Sequence, residues 1–166
     1  MLNDTLSYII SLRELTNIKY GITMSNIHKI IIDTNVIISA LLSKRGASYK
    51  LMYQITRKDF EVSVSVPLVA EYEKVAVEHI ENLRFTVEEV VKYIDFICSI
   101  AKKRKIYYLW RPYLRDPKDD MVLELAVASG CKYLITFNKK DFRGIEKFGI
   151  LALTPKEFLD LIGGIK

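Results

Sequence analysis

From residue 28 onward, short apolar runs alternate with stretches whose apolar positions recur every three or four residues. That is the pattern of strands alternating with helices in a parallel sheet. Lys29-Ile30-Ile31-Ile32 predicts a first strand, and its unbroken isoleucines suit a strand covered on both faces. It stops at Asp33-Thr34-Asn35, and a helix is expected from Val36 to Leu42, then a second over 48–57. Residues 60–66 alternate with period two and predict the second strand. Pro67 suits the first turn of a helix running to about Ile80.

Phe85-Thr86-Val87-Glu88-Glu89-Val90 matches a capping box with a hydrophobic staple. Apolar residues at 87, 90, 91, 94, 97, 98 and 101 predict a long amphipathic helix behind it. Lys102-Lys103-Arg104-Lys105 is expected to close that helix, its cations opposing the dipole, with a short strand over 106–109. Asp116-Pro117 opens a further helix that Gly130 stops. Strands are expected over 132–136 and 149–153, and Thr154-Pro155 with Glu157 begins a last short helix. Residues 1–25 stand outside the alternation as an N-terminal extension to a domain over 26–166.

Composition narrows the chemistry. The 166 residues are 50% hydrophobic and 27% charged, which excludes a disordered or fibrous chain. An excess of 25 basic over 20 acidic residues permits a polyanionic partner without demanding one. Two cysteines and two histidines are too few for a disulfide framework or a clustered zinc site. The apolar patch from Leu6 to Leu12 is too short to span a membrane and lacks a basic start, so the cytoplasm is the expected compartment and no membrane partner is expected.

Carboxylates fall where a parallel sheet binds ligands, beyond the carboxyl ends of its strands. Asp33 follows the first strand directly, and taken alone it also reads as a helix cap. Glu71 borders the apolar stripe of the helix after the second strand, where it also suits the helix dipole. In Asp116-Pro117-Lys118-Asp119-Asp120, Asp116 reads as an N-cap and Asp119 as a capping acid, whereas Asp120 has no such role. Thr136-Phe137-Asn138 ends a later strand, with Asp141 just beyond. Two carboxylates about 4 Å apart repel by roughly 4 kcal/mol at an effective dielectric near 20. Several together call for protons or a cation, and an all-oxygen set favours Mg²⁺ or Mn²⁺ over zinc. Such a site suits phosphodiester hydrolysis, because the ion shields phosphate and lowers the pKa of water.

These motifs, taken together, resemble a PIN domain. Ile31-Ile32-Asp33-Thr34-Asn35-Val36, Val69-Ala70-Glu71-Tyr72, Arg115-Asp116-Pro117-Lys118-Asp119-Asp120 and Leu134-Ile135-Thr136-Phe137-Asn138-Lys139 carry the likeness. It covers about residues 26–162 and is nearest the branch of toxin components of toxin–antitoxin systems. The resemblance implies a three-layer α/β/α sandwich with a central parallel sheet. It also implies an Mg²⁺- or Mn²⁺-dependent ribonuclease. By position it makes Asp33, Glu71 and Asp120 the three principal metal-binding acids, Asp116 a fourth, and Asp119 the last in rank. Thr34 and Asn35 would orient Asp33, while Thr136, Asn138 and Lys139 would serve substrate or water. Asn138 stands where many relatives carry Asp, a departure that bears on a second metal position.

The implied partners are RNA as substrate and a cognate antitoxin protein. A homodimer is expected from the apolar, tyrosine-bearing helix over 86–101. The basic and aromatic stretch from Lys102 to Arg115 is a candidate for RNA contact, although its lysines also read as a helix end and its aromatics as core or interface; Lys44-Arg45 and Lys139-Lys140, nearer the acids, are the better candidates. A metal phosphatase is disfavoured because Asn35 occupies the place where a second Asp is wanted. A catalytically weak domain that binds RNA or a protein partner is the remaining alternative.

Overall fold

A computed structural model describes residues 27–57 and 59–163; the extension expected over 1–25 lies outside the described residues. The first strand, β1 (His28–Ile32), becomes the middle of a five-stranded sheet because Ile30, Ile31 and Ile32 have no polar face to offer water. Helix α1 (Thr34–Leu42) follows at once, then α2 (Ala47–Tyr53), β2 (Phe60–Val64) and α3 (Val66–Glu78). After a 3₁₀ turn come α4 (Val87–Ile100), β3 (Lys102–Lys103) and α5 (Pro117–Ser129). The chain closes with β4 (Tyr133–Ile135), a second 3₁₀ turn, β5 (Leu151–Leu153) and α6 (Pro155–Leu161).

All pairings are parallel, in the order β3-β2-β1-β4-β5, and Ile30 sits between Val62 and Tyr133. Helices cover both faces, so the fold is the expected α/β/α sandwich. One contiguous core joins strand residues to Val36, Leu68, Ile94, Leu123 and Phe158 from the helices. No helix among the described residues is long and apolar enough to cross a membrane.

Local signals hold where a cap or a period fixes them. Thr86 Oγ1 accepts from the Glu89 amide at 3.2 Å while the Thr86 amide donates to Glu89 at 2.9 Å, the reciprocal pair that starts α4. Gly130 ends α5 at φ 62°, a conformation that costs glycine nothing.

Two expectations are corrected. Helix α4 ends at Ile100, and Lys102–Lys103 form an edge strand on β2 instead of a cationic helix end. The Arg104 amide extends that pairing to the Val64 carbonyl at 2.8 Å. An exposed edge favours lysine, which discourages pairing with another chain. Residues 106–109 form no strand, and Tyr107 and Tyr108 are about four-fifths exposed, at 79% and 80%. The apolar stripe of α4 packs within the chain: Val90, Ile94 and Ile97 are buried, and α4 lies on α3.

Helix α6 carries a second capping box, with the Glu157 carboxylate also accepting from Lys139 at 2.9 Å. The Thr154 amide, then the Lys139 ammonium, hold that carboxyl down at about 2, against an ordinary 4.5. A depressed folded-state value contributes stability above the unfolded pKa and loses it as pH falls toward the folded one. Glu157→Gln is therefore expected to flatten the fall in melting temperature between pH 4.5 and 2 and to leave its slope above pH 5 unchanged. Thermal melts across that range check it.

Candidate active site

The sheet reverses its strand order at β1: the chain leaves toward β2 on one side and returns as β4 on the other. Such a switch point leaves a crevice beyond the carboxyl ends of the two strands. Asp33 stands at the end of β1 and Thr136 at the end of β4, joined through the Asp33 amide and the Ile135 carbonyl at 2.9 Å. Asp33 caps α1 by accepting from the Thr34 amide at 2.8 Å through Oδ1. Its Oδ2 accepts from Thr136 Oγ1 at 2.6 Å and Asn35 Nδ2 at 2.7 Å. A carboxylate has about four acceptor sites, so Oδ1 keeps one lone pair while Oδ2 is filled.

The supporting groups are themselves satisfied. Asn35 Nδ2 also donates to Thr136 Oγ1 at 3.1 Å, and its Oδ1 accepts from the Phe137 amide at 3.2 Å. Thr136 is fully buried and accepts from the Asn138 amide at 2.9 Å. On α3, Glu71 Oε1 accepts from the Thr34 hydroxyl at 3.2 Å. The next residue, Tyr72, is buried and donates its hydroxyl to the Ile32 carbonyl, tying α3 to the end of β1. Burial pushes that phenol well above its usual range.

At the start of α5 the three aspartates part company. Asp116 is exposed and caps the helix by accepting from the Lys118 amide at 2.9 Å. Asp119 is half-buried, and with Arg115, Asp116, Pro117 and Asp141 it lines a cavity of about 390 Å³. Asp120 is fully buried and turned away, accepting from the Leu114 amide at 2.7 Å and the Tyr113 amide at 3.3 Å. The structure places the Asp119 carboxylate in the cavity and sets that of Asp120, expected to be the more central metal ligand of the two, against the backbone amides that precede α5. Asp120 pins the segment that precedes α5.

Burial raises the Asp33 carboxyl, against the hydrogen bonds from Thr136, Thr34 and Asn35, and Glu71 raises it further. Burial, then the charges of Asp33, Asp116, Asp141 and Glu71, push Asp119 up to about 7. Five carboxylates thus share one edge of the sheet. Among the described residues, no three His, Cys, Asp or Glu side chains already close into a ligating cage. The donor set still fits Mg²⁺ or Mn²⁺: Mg²⁺ keeps several waters and uses only one or two carboxylates, so an open cavity suits it better than a closed cage.

Thr34, Asn35 and Thr136 therefore meet around Asp33. Asn138 is exposed and reaches this network through its backbone amide. Lys139 pairs with Glu157 at 2.9 Å on the surface. Lys44 and Arg45 are exposed on the loop after α1. Asp141, which the sequence placed near this edge without a ligand role, and Arg115, from the stretch considered for RNA contact, also line the cavity. The signal for Asp141 was its place shortly after Thr136, since a turn from the Asn138 carbonyl to the Asp141 amide at 3.0 Å folds the chain back.

A search of curated protein sequences found no match. Among solved structures, the fold is similar to a chain in the crystal structure of VapBC2 from Rickettsia felis bound to a DNA fragment from their promoter. The two share 14% identity at a TM-score of 0.53, over 76% of this chain and 98% of that one, which is a likeness of fold. The family model described as PIN domain matches residues 29–140, a span holding every acid of the crevice except Asp141. The chain belongs to the PIN domain family.

Proposed function

We propose that this chain is a divalent-metal-dependent endoribonuclease, with Asp33, Glu71 and Asp119 holding Mg²⁺ or Mn²⁺ and Asp116 and Asp141 completing the acidic cavity. The observation that carries the reading is geometric: Asp116, Asp119 and Asp141 line one cavity beside the switch point of the sheet, where Thr34 bonds both Asp33 and Glu71. PIN domains are generally nucleases that use divalent metal ions, which supports the same conclusion. When bound, the ion supplies charge neutralisation at phosphate and a lowered pKa for water.

The chain's own part is orientation. Thr136 and Asn35 saturate Asp33 Oδ2, which leaves Oδ1, with its single bond from the Thr34 amide, the oxygen able to take an ion. The Thr34 hydroxyl holds Glu71, so the first turn of α1 sets two carboxylates at once. Asp141 takes the place left without an acid at Asn138. Arg115, at the rim, suits the phosphate backbone of the strand. The partner we propose is a cognate antitoxin protein, with this chain as the toxin, on the likeness to a chain of VapBC2.

Incubating the protein with a mixed single-stranded RNA pool and Mn²⁺, beside EDTA and Asp33→Asn controls, tests the reading. Cleavage is expected with Mn²⁺ alone. Cleavage that survives either control would sink it.

A further inference from the structure

We propose that a groove at the β3 edge, separate from the carboxylate cavity, binds the unpaired bases and phosphates of a single-stranded nucleic acid. The groove has a volume of about 510 Å³. Lys103, Arg104 and Lys105 line it together with Tyr107, Tyr108 and Trp110, over a floor that includes Val127 and Ala128 of α5.

The aromatic rings are held outward by an ordered backbone. Glu124, one helical turn beyond Asp120 on α5, is fully buried and accepts from the Trp110 amide at 3.0 Å. It also takes a two-point grip from Arg111, through Nε at 3.0 Å and Nη2 at 2.9 Å. Asp120 holds the amides of Tyr113 and Leu114, and the Tyr113 hydroxyl donates to the Gly144 carbonyl at 3.0 Å. Trp110 and Tyr113 both meet the ring of Phe148 edge-on, at 5.2 and 5.0 Å between centroids. With its backbone anchored in this way, the segment presents Tyr107 and Tyr108 to solvent rather than to the core.

The charge of the groove selects its occupant. Lys103 and Lys105 form no ion pair among the described residues, and Arg104 meets Glu61 only at 3.6 Å. Glu124, the one acid lining the groove, is already neutralised by Arg111. Cations beside exposed aromatic faces match a strand with phosphates and unpaired bases, since every base has a face on which an aromatic ring can stack. Addition of a partner's β-strand is disfavoured, because β3 has only two residues and both are exposed lysines. An acidic peptide would satisfy the cations and leave the flat faces without their counterpart.

The groove's use, delivering a strand to the cavity, rests on the nuclease reading. Trp110 in the groove and Arg115 in the cavity are five residues apart, a reach of at most about 18 Å even if the chain were fully extended.

Trp110 is the chain's single tryptophan, so its fluorescence reports on the groove. The full chain in EDTA is titrated with an unstructured RNA oligonucleotide, the matching DNA strand, the DNA duplex and polyglutamate. Both single strands are expected to quench Trp110 and bind well above the duplex, with RNA against DNA telling which strand is preferred. Replacing Tyr107 and Tyr108 together with Ala should weaken single-strand binding about tenfold or more. Lys103→Gln with Lys105→Gln should reduce the salt slope by about 1.4.

The proposal is overturned if the folded tyrosine double variant binds like the parent, if no strand quenches Trp110, or if polyglutamate outcompetes the strands. Asp33→Asn separates the two readings. If it cleaves like the parent, the nuclease reading fails while the groove stands. If the tyrosine variant binds like the parent while Asp33→Asn loses cleavage, the groove fails alone.

Discussion

Asp119→Asn is expected to lower Mn²⁺-dependent cleavage by roughly 10³-fold while making the metal-free protein more stable at neutral pH. The activity loss is what several kcal/mol of lost transition-state charge stabilisation corresponds to, at about 1.4 kcal/mol per factor of ten. The stability gain has the opposite electrostatic origin. Asp119 ionises against burial and four neighbouring carboxylates, and its pKa stands at about 7 instead of 3.8. A raised carboxyl pKa costs the folded state nothing below pH 3.8, increasingly more as pH rises toward 7, and its full penalty above that.

Because Asp119 is only half-buried, solvent screening reduces that penalty to about 1–2 kcal/mol. For a domain of this size each kcal/mol corresponds to about 2–4 °C in melting temperature. Melts in EDTA at pH 7.5 should therefore place Asp119→Asn a few degrees above the parent, with the gap closing toward pH 4. Saturating Mn²⁺ should stabilise the parent more than the variant. A variant that melts lower than the parent in EDTA and cleaves normally would remove Asp119 from the site.

Asp120→Ala, one residue along, is expected to lose stability. Its carboxylate is fully buried and accepts from two backbone amides, one of them belonging to buried Leu114. Stranding those donors costs about 3 kcal/mol, or roughly 6–12 °C in melting temperature. Asp120→Asn keeps one oxygen for the Leu114 amide, so its cost should fall to about 1 kcal/mol with cleavage within a few-fold of the parent. Denaturant and thermal unfolding measure both stability effects, and cleavage beside Mn²⁺ binding checks that Asp120→Asn keeps a working site. If Asp120→Asn folds normally and no longer binds Mn²⁺, Asp120 must be returned to the metal site.

These neighbouring residues show how far periodicity reaches. In the sequence, capping chemistry offered a structural role for Asp119 and none for Asp120. The folded chain reverses this, because the segment over 104–116 packs back onto α5 and buries whatever faces it. That segment has neither a two-residue nor a 3.6-residue period, so its path left no signal to read. Asp141 was legible as a neighbour of the strand end but not as a cavity acid, because a turn returns it there.

The cationic run after α4 carried its meaning in the wrong frame. Four consecutive basic residues suit a helix terminus as well as an edge strand. Pairing with Ser63 and Val64 chose between them, a long-range contact that no local pattern contains. Similarly, the pairing of Lys139 with Glu157 of α6 is a contact that only the fold supplies.

By itself the sequence determined the order of elements, their caps and the placement of Asp33, Glu71 and Thr136 at one edge of the sheet. Those follow from side-chain periodicity and from capping, which act over a few residues. Only the tertiary structure decided which carboxylate of an adjacent pair enters the cavity, which acid a turn adds, and which aromatics remain in water. Each depends on a segment without regular structure, where the anchoring partners on α5 lie up to fourteen residues away and set the backbone's path by long-range hydrogen bonds.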